Sequence, residues 1–182
     1  MTRSRIPAYA AAVLLCLVSM LAVAAPARSV SQEVQKQYDL ALDQAINHYE
    51  QFKIFLENKE DAKALKELQA IVDIDFPKGF DGSDGVLLQV DAHILLGEML
   101  IEQAEKEKDA KKKKDLLSRA IETIKAGLHK SPDVHELTYD LYMALGHAYK
   151  VSGRSEDALD AFKAAEKINK KLQDNQKQQK NS

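Results

Sequence analysis

The sequence contains very little cysteine and almost no net charge. Its only cysteine is Cys16, so the remainder of the 182 residues cannot be joined by disulfides and must rely on packing. This excludes the small, disulfide-stabilised folds of many exported proteins. The 26 basic and 28 acidic residues leave a formal charge of −2, which is too small to indicate nucleic acid or an anionic membrane surface as a partner.

Motifs that mark catalytic and metal sites are also missing. The chain has no glycine-rich phosphate loop and no Gly-x-Ser-x-Gly turn, and its many carboxylates lie on helical faces among lysines. No two histidines stand four residues apart and no Cys-x-x-Cys-His motif for haem occurs; the histidines are His48, His93, His129, His135 and His147. The sequence therefore predicts a protein that is not an enzyme and that holds no metal or cofactor.

One segment, residues 79–85, is rich in glycine and aspartate and has some features of a calcium loop. A calcium loop of this kind ends in a glutamate, and Ala92 occupies that place. The segment is therefore predicted to be a turn in which Ser83 or Asp84 caps the next helix.

The N-terminal residues have the pattern of a secretory signal peptide. Two arginines within the first five residues precede an almost wholly apolar run over 6–25, which contains the cleavage-type sequence Ala22-Val23-Ala24. We predict a signal peptide over 1–24, a linker over 25–30 and a periplasmic or secreted protein that is not inserted in a membrane after cleavage. The alternative is an uncleaved membrane anchor, since the run is nearly long enough to span a bilayer.

The segment from 31 to 172 has the pattern of successive amphipathic helices. Apolar residues recur every three or four positions, first over 34–56 and then over 62–72, and no segment alternates as a strand would. We therefore predict an all-α domain over 31–172. The final residues, 173–182, are wholly polar and are predicted to be a disordered tail.

The most specific pattern in the chain covers 142–165. Aromatic, small and apolar residues stand at fixed spacing on two successive predicted helices, at Tyr142, Leu145, Gly146, Tyr149, Ala158, Phe162 and Ala165. This pattern resembles the tetratricopeptide repeat (TPR), a helix–turn–helix unit that stacks into a solenoid. TPR units usually bind other proteins and rarely catalyse reactions, so the resemblance implies a binding scaffold. It also implies that Gly146 lies where two helices touch.

A second copy of the motif precedes the first and has longer helices. Its matching positions are His93, Leu96, Gly97, Leu100, Ala120, Ile124 and Pro132. The step from Gly97 to Ala120 is 23 residues, whereas the step from Gly146 to Ala158 is 12, and the extra 11 residues amount to about three helical turns. The segment 31–75 matches only in outline. The resemblance thus implies antiparallel helix hairpins stacked as a short TPR-like solenoid of about three units, with elongated helices in the middle unit.

In TPR proteins the first helix of each hairpin lines a concave groove. The corresponding candidate partner-binding residues here are Asp91, Ile94, Glu98, Ile101, Asp140, Met143, His147 and Lys150. Family members that bind chaperones hold a C-terminal carboxylate with lysine and asparagine on this surface, and this chain has apolar and acidic residues instead. The resemblance therefore implies a partner peptide or helix with apolar and basic side chains. The alternative is that Ile94, Ile101 and Met143 are covered by the first hairpin.

Together these features predict a non-enzymatic scaffold or adaptor in the cell envelope that binds a protein or peptide partner. One alternative is a structural protein that forms homo-oligomers through an incompletely covered last hairpin. Another is a helical-bundle carrier of a small ligand or metal. Four lysines over 111–114, in an acid- and lysine-rich bend, offer an alternative docking surface for an acidic partner, although nearby carboxylates reduce their field.

Overall fold

The computed structural model describes residues 31–180, so the predicted signal peptide and linker lie outside the described residues. Within this range the protein is all-α, as predicted, and contains no strand. Its helices are α1 (Gln32–Glu57), α2 (Asp61–Val72), α3 (Asp84–Lys106), α4 (Ala110–Lys130), α5 (Glu136–Val151) and α6 (Ser155–Lys180).

The helices pack as consecutive pairs, α1 with α2, α3 with α4, and α5 with α6. Three residues join the two helices of each pair, and such short connections make the paired helices antiparallel. Helix α3 also contacts α1, α2 and α5, so it touches four other helices. For this reason α3 contains more buried residues than any other described helix.

Glycine allows the two helices of the second and third pairs to approach closely. A Cβ atom built on Gly97 of α3 would lie 2.9 Å from Cδ1 of Ile124 on α4. One built on Gly146 of α5 would lie 2.6 Å from Cδ1 of Phe162 on α6. Both distances are too short for a real side chain, so the prediction that Gly146 lies at a helix–helix contact is confirmed.

A buried glutamine joins the first pair of helices to the second. Gln89 of α3 is 1% exposed. Its side-chain amide donates to the backbone carbonyls of Ile71, Val72 and Ile74, at 3.0, 3.0 and 2.7 Å. These carbonyls lie at the end of α2 and just beyond it, where they have no partner within the helix. One side chain therefore caps α2 and fixes it against α3.

The connection from α2 to α3 is held against α1 by aromatic rings. The Phe80 ring stacks on the Tyr38 ring with centres 4.1 Å apart, and the backbone N–H of Gly85 donates to the Tyr38 hydroxyl at 3.0 Å. The predicted capping of α3 is wrong in one respect. Ser83 occupies the N-cap position, but its buried hydroxyl has no hydrogen-bond partner in the described part of the chain.

The C-terminal segment differs from the predicted disordered tail, because α6 continues as a helix through Lys180. Every side chain from 173 to 180 is exposed. Neither glycine nor proline follows Gly153, and glutamine and lysine are good helix formers. Helix propensity therefore favours the extension, and an ion pair between Asp174 and Lys177 adds to it.

Candidate functional site: the acidic face of α3 and α5

The eight predicted groove residues do not all lie on one accessible surface. Ile94 is 6% exposed and Ile101 is 1% exposed, and both belong to the hydrophobic core. They are buried because α3 is covered on several sides by other helices, so their prediction as partner-binding residues is wrong. Met143, by contrast, is 39% exposed and remains available.

The other candidates lie on α3 and α5, which contact each other. We call them the α3–α5 face, and they are Asp91, Glu98, Asp140, Met143, His147 and Lys150. Asp91 is half-buried and the others are exposed. Residues on α3 that are seven positions apart, such as Asp91 and Glu98, point in nearly the same direction because two helical turns separate them.

Three carboxylates of this face lie close enough to disturb one another. Partial desolvation is the largest cause that raises the pKa of Glu98, followed by the negative charges of Asp140 and Asp91. Desolvation and the charge of Asp140 raise the pKa of Asp91, whereas a hydrogen bond from Tyr49 opposes that rise. Desolvation also raises the pKa of Asp140, with a contribution from Glu136. Carboxylates from two helices therefore share one negative field.

No basic side chain within residues 31–180 forms an ion pair with Asp91, Glu98 or Asp140. The interaction with His147 lowers the pKa of Glu98, but it is smaller than the effects that raise this pKa. Glu98 and His147 are therefore close enough to interact electrostatically. The ion-pair partner of His147 is nevertheless another residue, Glu105, whose carboxylate oxygen lies 3.7 Å from Nε2.

The sequence reasoning missed two polar members of this surface. Glu105 follows Glu98 by two turns of α3, so the same spacing argument that selected Glu98 could have found it. Tyr49 of α1 donates its hydroxyl hydrogen bond to Asp91 over 3.4 Å. No sequence signal connects these two residues, which are 42 positions apart.

Apolar side chains border the carboxylates. Met143 lies on the face itself, and Ile46 of α1 is 44% exposed. Ile46 precedes Tyr49 by one helical turn, so it lies beside the residue that contacts Asp91. The surface thus combines negative charge with accessible apolar area, which is the combination that a basic, amphipathic segment would complement.

The lysine run lies on a helix and not in a bend. Helix α3 extends to Lys106 and α4 begins at Ala110, so all four lysines of 111–114 belong to the start of α4. The Asp109 side chain caps this helix by accepting from the backbone N–H of Lys112 at 2.9 Å.

Comparison with protein-family models, with curated proteins and with solved structures finds no match for this chain. In the described range, no helix is both long and apolar enough to cross a membrane. That part of the chain also contains no group of three or more His, Cys, Asp or Glu side chains placed to hold a metal ion.

Proposed function

We propose that this chain is a non-enzymatic binding scaffold of TPR-like hairpins, and that its α3–α5 face binds a basic, amphipathic peptide or helix of another protein. The observation that carries the proposal is the set of three mutually repelling carboxylates without a basic partner, next to exposed Met143 and Ile46. Lysine or arginine side chains of a partner would relieve the repulsion and form charge-assisted hydrogen bonds.

The arrangement of the helices supports a TPR-like solenoid. The antiparallel pairs follow one another along the chain, and α3 contacts the first helix of the pair before it and of the pair after it. Gly97 and Gly146 make equivalent close contacts within their own pairs. In the solenoids that this chain resembles, the first helices of the hairpins form the binding surface, and the α3–α5 face lies on two such helices.

The proposal includes export to the periplasm or the cell exterior. It rests on the basic start, apolar run and cleavage-type sequence within residues 1–25. An envelope location also narrows the partner search to proteins that reach the same compartment.

Charge reversal on the proposed face tests the function. Glu98→Lys with Asp140→Lys reverses two of the three carboxylates, and Glu122→Lys with Glu166→Lys makes the same change in net charge on exposed positions of α4 and α6. Each protein would be used to capture partners from an envelope extract, with identification by mass spectrometry. Affinity for the captured partner would then be measured with purified proteins.

We expect the first double variant to weaken binding at least tenfold and the second to leave it within about twofold, because contacts at the centre of an interface carry most of the binding energy. Binding of the wild-type protein should also weaken in mild acid, since the raised pKa values cause these carboxylates to lose charge earlier than ordinary ones. Equal effects of the two variants would contradict the proposed site, because they would reflect overall charge alone.

A second candidate function, self-association, is favoured by one observation. Leu159 on α6, the last described helix, is 54% exposed. Sedimentation at several concentrations tests this candidate, because only a self-associating protein increases in mass without a partner. Leu159→Gln should abolish such an increase if the last hairpin is the contact, and an unchanged increase would exclude it.

A further inference from the structure

A separate concave site lies between the first half of α4 and the turn that joins α5 to α6. Its volume is about 400 Å³, within the range of small-molecule sites, and it shares no residue with the α3–α5 face. Three basic side chains, Lys113, Lys114 and Arg154, line it, and no acidic side chain does. Their concentration at one cavity is notable in a chain with nearly balanced charge.

The floor of this cavity is apolar. Leu117 and Ile121 of α4 contribute to it from the edge of the core, and Val151 contributes from the end of α5. We call the whole site the α4 pocket. Because the basic groups and the apolar side chains line the same small volume, a ligand that uses both must carry an anionic group joined directly to an apolar body.

The basic groups are available to a ligand to different degrees. Lys113 and Lys114 form no ion pair with any side chain in the described structure. Arg154 donates from Nε to Asp157 at 2.7 Å and stacks over the Tyr149 ring, with 4.4 Å from its central carbon to the ring centre. These contacts hold the guanidinium in place but leave its terminal nitrogens free to donate.

We propose that the α4 pocket binds a small aliphatic carboxylate, with the carboxylate at the lysines and Arg154 and the aliphatic chain on the apolar floor. A volume of about 400 Å³ accommodates roughly ten non-hydrogen atoms together with some water. A purely polar anion would leave the floor uncovered, and a neutral apolar molecule would leave the basic groups without a partner. This site is independent of the proposed scaffold function.

Titration with octanoate, followed by amide chemical shifts in NMR spectra of the purified protein, tests the proposal directly. We expect saturable shifts confined to the α4 pocket, at residues 110–121 and 151–154. Acetate carries the charge without the chain and octanol carries the chain without the charge, so each should bind at least fivefold more weakly than octanoate. Added salt should weaken octanoate binding, because exposed charges are screened over about 10 Å.

A matched pair of double variants separates the pocket from general charge. Lys113→Gln with Lys114→Gln removes two lysines that line the pocket, whereas Lys111→Gln with Lys112→Gln removes two from the same run that do not. We expect the first to weaken octanoate binding about fivefold or more and the second to change it by less than about twofold. Ser118→Phe, at an exposed position that lines the pocket, should block binding by filling the cavity.

The proposal is overturned if octanoate binds no better than acetate, or if the two lysine variants weaken binding equally. It is also overturned if octanoate shifts amides throughout the protein without saturation. A folded Ser118→Phe variant that still binds octanoate at full strength would exclude the cavity as the site. Charge reversal at Glu98 and Asp140 should leave octanoate binding unchanged, so failure here and failure of the scaffold function are distinguishable.

Discussion

His93 is expected to make the protein sensitive to acid, and its replacement should remove that sensitivity. The side chain is 5% exposed, and neither ring nitrogen forms a hydrogen bond of good geometry in the described structure. Burial is the main cause that lowers the pKa of His93 to about 4, and the positive charge of Lys130 adds to it. The nearby carbonyl of Thr123 and the charge of Asp73 oppose this shift without reversing it.

The size of the stability loss follows from the difference between the pKa values of His93 in the folded and unfolded states. The unfolded chain takes up the proton near pH 6.5, whereas the folded protein takes it up only near pH 4. Stability is therefore fully present above pH 6.5 and is lost as the pH falls from 6.5 to 4. At about 1.4 kcal/mol for each pH unit, the loss is about 2.5 kcal/mol at pH 4.5. For a domain of this size, that loss lowers the melting temperature by roughly 5–10 °C.

His93→Leu keeps a side chain of similar size and has no nitrogen to leave without a partner. We expect it to be neutral or stabilising at pH 7.5, since it removes unsatisfied polar atoms from the core. At pH 4.5 it should be more stable than the wild type by about 2.5 kcal/mol beyond any difference at pH 7.5. Urea denaturation at both pH values measures this. His129→Gln is the control, because it removes an exposed imidazole from α4.

Other titratable groups do not affect the comparison of the wild type with His93→Leu. The raised pKa values of Asp91, Glu98 and Asp140 act in the opposite direction, because their protonation at low pH favours the folded state. They are present in the wild type and in both variants, so they cancel in the difference. Parallel pH profiles of the wild type and His93→Leu would refute the reasoning, as would an NMR titration that places the pKa of His93 near 6.5.

Three further predictions concern packing, capping and processing. Gly146→Leu should cost roughly 1–3 kcal/mol or more, because the new side chain would collide with Phe162. Gly153→Leu should destabilise through the backbone instead, since φ at Gly153 is +73° and no atom lies within 4 Å of the position of a Cβ atom. Thermal melts measure both losses of stability, and a crystal structure of each variant distinguishes the two causes. Gln89→Leu should cost about 1–3 kcal/mol, measured by denaturation, because the carbonyls of Val72 and Ile74 lose their donor, whereas the Ile71 carbonyl keeps the backbone N–H of Ile74. N-terminal sequencing of exported protein should find Ala25 first, and an intact Met1 in a membrane fraction would favour the anchor.

The helices were predictable because the sequence pattern that indicates a helix extends over only a few neighbouring residues. Apolar residues at intervals of three and four predict α1 and α2, and the glycine within each repeat-like motif predicts a close contact between helices. Gly146 shows how far this reasoning reaches, since its spacing from Tyr142 and Phe162 predicts the contact with α6. Such patterns act over one or two turns and need no knowledge of the rest of the chain.

The site was predictable only in part, because the burial of a side chain depends on helices that are distant in the sequence. Glu98 and Ile101 are three residues apart on the same helix, yet one is exposed and the other is 1% exposed. Which of them is exposed to solvent depends on the position and angle at which the other helices cross α3. A single sequence does not specify these crossing angles. The same limit applies to Gln89, whose partners lie 15 to 18 residues away across a loop.

The pairing of charges elsewhere on the protein strengthens the case for the α3–α5 face. On other helices several exposed carboxylates pair with a basic residue one turn away, and examples are Glu50 with Lys53, Asp157 with Arg154 and Asp160 with Lys163. Such pairs support an exposed helix at little cost. Solubility alone would be served equally well if Asp91, Glu98 and Asp140 were paired in the same way. The unpaired carboxylates there repel one another, so a partner that supplies the missing positive charge gives this arrangement a physical reason.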